Sequence, residues 1–299
     1  MVQISEEVAE AQAAGRPVVA LESTVLAQGL PAPRSLEVGR ALEAVVREEG
    51  AVPATIAVID GVPRVGLGEQ DLEAICRGHG YRKLSTRDLA GAIARGENGA
   101  TTVAATSFLA SRAGIAVFAT GGIGGVHRDS GVPDVSADLT ELERTRVLVV
   151  CAGAKSILDL PATREALETR GVLVLGWRSD ELPAFYSARS GLSVDVRVEE
   201  AAEVAAIWRA KEAIAVPGAV LLCVPPPERA ALPADMVEQF IAEAMEVASA
   251  RGITGGALTP FLLEELVRRS GGATLEANVA LLLNNARVAA RVAVALADR

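Results

Sequence analysis

Residues 146–160, RVLVVCAGAKSILDL, predict a buried strand that passes into a helix, and this unit decides the fold. The apolar run 146–151 predicts the strand, Gly153 permits a sharp turn, and Asp159 stands where a helix would begin. Lys155 therefore falls between a strand and a helix. Ligands bind at the carboxyl ends of strands in open α/β sheets, so this lysine is a candidate site residue.

The same alternation of short apolar runs and helical segments extends through most of the chain. It is typical of βαβ units whose strands are buried on both faces. The predicted strands are 17–21, 54–59, 100–105, 115–119, 147–151, 172–176, 192–196 and 219–223. The predicted helices are 35–49, 88–95, 107–113, 161–169, 199–211, 235–251, 259–270 and 272–298.

These elements predict an α/β fold with three layers, α/β/α, around a mixed, largely parallel central sheet. From residue 233 onward the pattern is helical only, so we expect a helical C-terminal region. No linker rich in Ser, Gly and Pro separates that region from the sheet. We therefore expect one domain over residues 1–299.

Composition excludes some partners and favours others. The net charge is −9 and aromatic residues make up 3% of the chain, which argues against a nucleic-acid groove. The amino terminus lacks the pattern of a secretory signal, and we see no apolar run of the ~18 residues that a membrane helix needs. We expect a cytoplasmic protein without a membrane partner.

Two further features of the composition concern assembly and redox state. Half of the residues are hydrophobic and 22% are charged, with a mean hydropathy of +0.31, which favours a buried subunit interface. The three cysteines, Cys76, Cys151 and Cys223, lie in or beside apolar runs and lack metal-ligand spacing. They are typical of core thiols in a reducing compartment.

The first stretch that could carry chemistry is VALESTV, residues 19–25. Glu22 follows an apolar strand, so it would project at the carboxyl edge of the sheet, where burial favours the protonated acid. The alternative is a structural carboxylate that accepts hydrogen bonds from nearby backbone N–H groups.

A second stretch, KLSTRD, places Lys83 before a helix whose N-cap we expect to be Thr86. Lys83 could hold a phosphate or carboxylate, or it could be a solvated loop residue.

The glycine-rich segment GGIGG, residues 121–125, lets the backbone approach a ligand closely. Its consecutive N–H groups could form an anion-binding nest, although neither a Walker loop nor a dinucleotide fingerprint is present. The polar residues that follow it fit a phosphate or a hard cation: His127, Arg128, Asp129, Asp134, Ser136 and Asp138. Asp134 and Asp138 suit Mg²⁺ or Mn²⁺, which keep several waters, but they could equally cap the helix that follows.

Lys155 has two explanations on local physics alone. Desolvated beside a positive helix end, it would be a neutral amine fit for imine chemistry with a sugar aldehyde. Otherwise its ammonium reaches solvent along its own stem.

Two later stretches could contribute to a site. Phe185 and Tyr186 stand in a predicted loop, where they could flank a base. Asn278, Asn284 and Asn285 fall in a long apolar helix, so their amides need partners. Asn278 could hydrogen-bond a pyrimidine or another helix.

Nine strings together resemble the pseudouridine-5'-phosphate glycosidases, also called the indigoidine synthase A-like family. In chain order from residue 18 to 287, they are VVALESTVLAQGLP, KLSTRD, NGATTVAAT, FATGGIGGVHR, DVSADL, CAGAKSILDLPATREALETRGV, DELPAFYSARSG, LTPFLLEEL and LEANVALLLNNAR. The resemblance implies reversible cleavage of pseudouridine 5'-phosphate with water to uracil and ribose 5-phosphate. It also implies a homotrimer and one Mn²⁺ per subunit.

The resemblance assigns roles residue by residue. Lys155 is expected to be the nucleophile that forms an imine with C1' of the opened ribose, and Glu22 the proton donor. Asp134 is expected to bind Mn²⁺. The expected substrate-binding residues are Lys83, Val103, Thr120, His127, Ser136, Ala137, Asp138 and Asn278, with Thr120 and His127 at the phosphate and Asn278 at the base.

Two other functions share parts of this pattern. A lysine-imine aldolase acting on another phosphosugar would use Lys155 and an anion site without a pyrimidine reader. A phosphosugar-binding protein without catalysis would need only the anion site.

Overall fold

The computed structural model describes residues 2–128, 134–253, 255 and 258–298. The strands are β1 Gln3–Ile4, β2 Val18–Leu21, β3 Val52–Ile59, β4 Val62–Val65, β5 Arg82–Leu84, β6 Gly99–Thr101, β7 Val117–Ala119, β8 Val126–His127, β9 Leu148–Cys151, β10 Leu158–Asp159, β11 Leu173–Trp177, β12 Val196–Val198 and β13 Val220–Cys223. The helices are α1 Glu6–Ala13, α2 Arg34–Glu48, α3 Glu69–Cys76, α4 Thr86–Ala94, α5 Val103–Arg112, α6 Ala137–Arg144, α7 Leu160–Thr169, α8 Ala201–Ala213, α9 Ala234–Ala250, α10 Leu258–Arg269 and α11 Ala273–Ala297. A single turn of π-helix covers Val25–Gly29.

Eleven of these strands form one mixed sheet, in the order β1-β4-β3-β2-β7-β9-β13-β11-β12, with β6 paired to β3 and β5 to β6. From β3 to β12 along that order, every neighbouring pair is parallel. The antiparallel pairs β3–β4 and β3–β6 lie at one side. The predicted mixed, largely parallel sheet is confirmed.

The helices form two layers, and helices of the same layer contact one another. Helix α11 packs against α2 and α8 and against β2, β7 and β9. Helix α5 packs against α4 and α6 and against β2, β3, β4 and β6. The sheet lies between these two helix layers, as predicted for a three-layer fold. All three cysteines are buried and free.

Helix α11 corrects one expectation from composition. The helix has 25 residues and a mean hydropathy of 1.5 over 18 of them, so it is long and apolar enough to cross a membrane. The expectation that no segment of the chain has this length and apolar character is therefore wrong. The helix nevertheless packs on the central strands as a core element, with Leu281, Ala286 and Ala289 fully out of solvent.

Several predicted boundaries also differ from the structure. The strand predicted over 100–105 stops at Thr101, because the Thr102 hydroxyl accepts the Ala105 N–H and starts α5. The strand predicted over 192–196 is β12, which begins only at Val196. Ser85 rather than Thr86 is the N-cap of α4, and the Asp88 carboxylate accepts the Ser85 N–H at 2.9 Å. Helices α1 and α3 were missed, and α6 was expected only as the helix that Asp134 and Asp138 could cap.

The long strand β3 sets up the site by pairing with two strands along one edge. Its first half pairs with β2, and residues 57–58 pair with β6, which runs in the opposite direction. The carboxyl ends of β2 and β6 therefore face each other. The Ser23 hydroxyl joins them, since it donates to the Ile56 carbonyl at 2.6 Å and accepts the Thr101 N–H at 2.9 Å.

Candidate active site

A cavity of about 300 Å³ opens where β2, β6, β7 and β9 end. This volume is at the lower end of small-molecule pockets in proteins. The N-termini of α4, α5 and α6 contribute to its wall, and the positive ends of their helix dipoles favour an anion there. Helices α10 and α11 also line it, as do the π-helical turn, the glycine-rich segment 121–125 and the loop that carries Lys155.

The structure brings nearly all of the predicted site residues to this cavity. The lining includes Glu22, Lys83, Val103, His127, Asp134, Ser136, Ala137, Asp138, Lys155 and Asn278. Thr120 is the exception, because it is 2% exposed and lines a small void behind the main cavity. Asp129 lies outside the described residues.

Glu22 follows the last residue of β2 and is 9% exposed. Its Oε1 accepts a hydrogen bond from the Thr120 hydroxyl rather than from a backbone N–H. Burial raises the pKa of Glu22, and the opposing influences of Lys155 and Thr120 are smaller. A protonated fraction therefore persists to higher pH than in an exposed glutamate, which suits a proton donor.

Lys155 is held in the loop between β9 and β10. Its backbone N–H donates to the Ile123 carbonyl at 3.1 Å, and its carbonyl accepts the Leu158 N–H at 3.0 Å. The residue is half-buried, and no ion pair joins its ammonium to a carboxylate in the described part of the chain. Its side chain reaches the same cavity as Glu22.

Two other basic side chains in the cavity have lowered pKa values. Desolvation lowers the pKa of Lys83, and the nearby charge of Lys155 lowers it further. Desolvation also lowers the pKa of His127, against the attraction of Asp134. Both shifts weaken proton binding, and the negative charge of an arriving anion would oppose them.

The glycine-rich segment does not form the predicted anion nest. None of its four glycines has a positive φ, the Ile123 N–H donates to the Gly153 carbonyl, and the Gly124 N–H donates to Asp138. The glycines instead allow close packing. A Cβ at Gly122 would lie 2.6 Å from the Phe185 ring.

Asp138 is a structural carboxylate as well as a cavity residue. Its Oδ2 accepts the Gly124 N–H at 2.8 Å and its Oδ1 accepts the Ala104 N–H at 2.9 Å. It therefore ties the glycine segment to the N-terminus of α5. Ser136 is the N-cap of its own helix, α6, and its Oγ accepts the Asp138 N–H at 3.2 Å.

Asp134 is the carboxylate that faces the cavity beside His127. Its carbonyl accepts the His127 N–H at 2.9 Å. Among the described residues no three His, Cys, Asp or Glu side chains form a metal cluster. One carboxylate in a polar cavity still fits a hard cation that keeps most of its waters.

The aromatic and amide residues divide between the cavity and the core. Phe185 lines the cavity, whereas Tyr186 packs edge-to-face on it and is 2% exposed. Asn278 reaches the cavity. The Asn285 amide donates to the Thr120 carbonyl at 2.8 Å, and the Asn284 amide to the Pro225 carbonyl at 3.4 Å.

Some cavity residues were not predicted from the sequence. They are Thr24, Val25, Gln28, Ser85, Arg87, Thr102, Thr259, Pro260 and Leu263. The strings that carry the resemblance contain all of them, but nothing in residue type or spacing distinguished them from structural neighbours.

Comparison with known proteins fits this geometry. The family model described as indigoidine synthase A like protein matches residues 7–295. The chain belongs to the indigoidine synthase A-like family. Two relatives in this family are pseudouridine-5'-phosphate glycosidases. The one from Chloroflexus aurantiacus is 55% identical over 100% of this chain and 99% of its own, and the one from Caldanaerobacter subterraneus subsp. tengcongensis is 52% identical over 99% and 96%.

Solved structures of similar proteins share the fold. The prealnumycin C-glycosynthase AlnA, solved in complex with ribulose 5-phosphate, has a TM-score of 0.91 and 43% identity, over 99% of this chain and 97% of its own. An indigoidine synthase A-like protein from Thermotoga maritima has a TM-score of 0.90 and 39% identity with the same coverage.

Proposed function

We propose that this chain is a pseudouridine-5'-phosphate glycosidase that works through an imine on Lys155. The observation that carries the proposal is that Glu22 and Lys155 open onto one cavity from the ends of β2 and β9, with β7 between them. An acid and an amine so placed are the two groups that ring opening and imine formation need. The names of the two glycosidase relatives support the substrate.

The first step opens the ribose. The Lys155 Nζ lone pair attacks C1' and forms an N–C1' bond. The C1'–O4' bond breaks, and O4' takes its proton from Glu22. The buried carboxyl is suited to this step because its raised pKa favours the protonated form.

The second step releases the base. The nitrogen on C1' first gives a proton to the Glu22 carboxylate, which passes it to C5 of the uracil ring. The C1'–C5 bond then breaks with its electrons moving into the ring, and the nitrogen lone pair forms the C1'=N bond. The carbon–carbon bond can break because the nitrogen lone pair on C1' supplies electrons and the ring protonated at C5 accepts those of the C1'–C5 bond. Water then adds to C1' and displaces Lys155, which leaves ribose 5-phosphate.

The other cavity residues bind and orient the substrate in this proposal. The substrate-binding set is Lys83, Val103, His127, Ser136, Ala137, Asp138 and Asn278. Thr120 acts from behind Glu22 rather than on the phosphate, because its hydroxyl is already used by the acid. The helix N-termini of α4, α5 and α6 favour the anionic end of the substrate.

Asp134 would hold a Mn²⁺ ion, with water completing its coordination. When bound, the cation would neutralise negative charge on the phosphosugar. His127 lies close enough to Asp134 to share that environment.

We further propose a homotrimer of single-domain chains in the cytoplasm. The high apolar content of the chain supports a subunit interface.

Two measurements test the function. Release of uracil from pseudouridine 5'-phosphate is followed by ultraviolet absorbance, with and without added Mn²⁺. Borohydride trapping with ribose 5-phosphate, followed by mass mapping, should label Lys155, and Lys155→Ala should abolish both signals. No uracil release, or a label on another lysine, would contradict the proposal.

The same experiments separate the competing functions. A lysine-imine aldolase would be trapped on Lys155 but release no uracil. A non-catalytic phosphosugar-binding protein would bind ribose 5-phosphate equally well after Lys155→Ala and give neither signal.

A further inference from the structure

We propose that Arg128 is a positioning residue that fixes the loop carrying Lys155. This inference rests on the proposed function, since it assumes that the Lys155 amine must be held for attack. Arg128 follows β8 and does not line the cavity, so it acts through the loop and not on the substrate.

The guanidinium of Arg128 binds the backbone directly after Lys155. Its Nε donates to the Leu158 carbonyl at 3.0 Å, and its Nη2 donates to the Ser156 carbonyl at 3.0 Å. These two carbonyls flank Ile157, which is 1% exposed and packs in the core. One planar cation thus spans the turn that leads from the nucleophile to α7.

In the part of the chain that the structure describes, few other backbone contacts hold this turn. Within it, the Leu158 N–H donates to the Lys155 carbonyl at 3.0 Å. The backbone N–H of Lys155 is fixed by the Ile123 carbonyl. Beyond the lysine, β10 pairs with β8 over only two residue pairs, Leu158 with His127 and Asp159 with Val126. Such a short ladder is weak by itself. The Arg128 contacts therefore supply much of the restraint on the far side of Lys155.

Glu238 on α9 holds the guanidinium from its other side. Its Oε1 and Oε2 accept from Nη1 and Nη2 of Arg128, the latter at 3.0 Å. The Glu238 side chain is 58% exposed and the Arg128 side chain is 25% exposed. An exposed carboxylate contributes little to such a pair, so the carbonyl contacts should matter more than the ion pair.

The chemistry of arginine explains why this residue type is needed. Its guanidinium presents several N–H donors in one plane. A lysine has one compact ammonium group on a flexible stem, so it cannot reach two carbonyls and a carboxylate at fixed angles. A small displacement of a nucleophile can lower a rate about 100-fold. Loss of the fork should therefore slow attack by Lys155 without removing substrate contacts.

The test compares Arg128→Gln, Arg128→Lys and the matched control Glu238→Gln with the wild type. The measured quantities are the rate of borohydride-trapped imine formation with ribose 5-phosphate, kcat and KM for uracil release, and thermal unfolding. For Arg128→Gln we expect trapping and kcat to fall roughly 10- to 100-fold, with KM changed less than about threefold. Glu238→Gln should change each rate less than about threefold.

Added guanidinium ion should partly restore the trapping rate of Arg128→Gln but not alter that of the wild type. A wild-type trapping rate in Arg128→Gln, or a loss carried wholly by KM, would overturn the proposal. If Arg128→Gln does not fold, Arg128→Lys decides, because a folded Arg128→Lys that traps at the wild-type rate also overturns it. A wild type that traps no sugar on Lys155 would instead refute the proposed function.

Discussion

The Thr120 hydroxyl donates a hydrogen bond to Glu22 Oε1 where β7 and β2 end side by side. Glu22 is 9% exposed and Thr120 is 2% exposed, so water competes little for the contact. Burial favours the protonated carboxyl and the hydrogen bond favours the carboxylate, and burial is the larger influence. Thr120 therefore limits how far the pKa of Glu22 rises.

Removing this donor should shift the pH dependence of catalysis. In Thr120→Val the carboxylate loses its hydrogen bond, so the pKa of Glu22 should rise further. Since the protonated acid is the active form in the proposed mechanism, the alkaline limb of the kcat/KM profile should move to higher pH. Thr120→Ser keeps the hydroxyl and should keep the wild-type profile. Superimposable profiles for the valine and serine variants would contradict this role.

Much of the fold and the site was predictable because the relevant signals are local in the sequence. Strand and helix alternation located the central strands, and Lys155 and Glu22 each follow an apolar strand that ends at one edge of the sheet. The resemblance then assigned roles that spacing alone left open. The fold, the family and the shared cavity were recovered in this way.

The errors arose where tertiary contacts decide the outcome. The glycine segment was predicted to be an anion nest, but the distant Asp138 takes the Gly124 N–H. Thr120 was assigned to the phosphate, but its hydroxyl faces Glu22, 98 residues earlier in the chain. Neither partner can be read from local pattern, because both depend on how β7 and α6 pack.

Burial of Glu22 should also be visible in protein stability. A carboxyl whose pKa is raised by folding contributes stability that is fully present below its unfolded pKa and is lost as pH rises through the folded pKa. Glu22→Gln removes this titration. We therefore expect the free energy of unfolding of Glu22→Gln, relative to the wild type, to rise between pH 5 and pH 8 in urea titrations.

The control for this measurement is Glu10→Gln, which changes an exposed acid on α1. Glu10→Gln removes one carboxyl, as Glu22→Gln does, but an exposed one. If both variants changed in parallel with pH, burial of Glu22 would not be the cause, which would contradict the prediction.

Asp138→Asn should cost stability although it is nearly isosteric. Asp138 accepts two backbone N–H groups, one on each oxygen, and an asparagine offers only one acceptor oxygen. One N–H, of Gly124 or Ala104, would then face an amide NH₂ in a buried site. We expect a loss of about 1–3 kcal/mol in the free energy of unfolding, measured in urea. A cost below that of Ser136→Ala, for which loss of an N-cap predicts about 1 kcal/mol, would argue against the bridging role.

Adjacent glycines give the sharpest test of how the cavity wall is packed. A Cβ at Gly122 would lie 2.6 Å from Phe185 Cδ2 and 2.9 Å from the Gly153 carbonyl oxygen. The carbonyl belongs to the loop before Lys155 and cannot move without shifting that loop. Gly122→Ala should therefore destabilise the protein by roughly 1–3 kcal/mol and lower kcat at least about tenfold.

Gly121→Ala is the matched control, because its Cβ would meet the flexible tip of Leu282 at 3.2 Å. That side chain can give way, so we expect a much smaller loss of kcat and of stability. Steady-state uracil release and thermal unfolding of both variants check the comparison. Of these two glycines, only Gly122 packs against the Gly153 carbonyl of the Lys155 loop. Equal losses of kcat and stability in the two variants would therefore contradict the idea that contact with this loop excludes a side chain at Gly122.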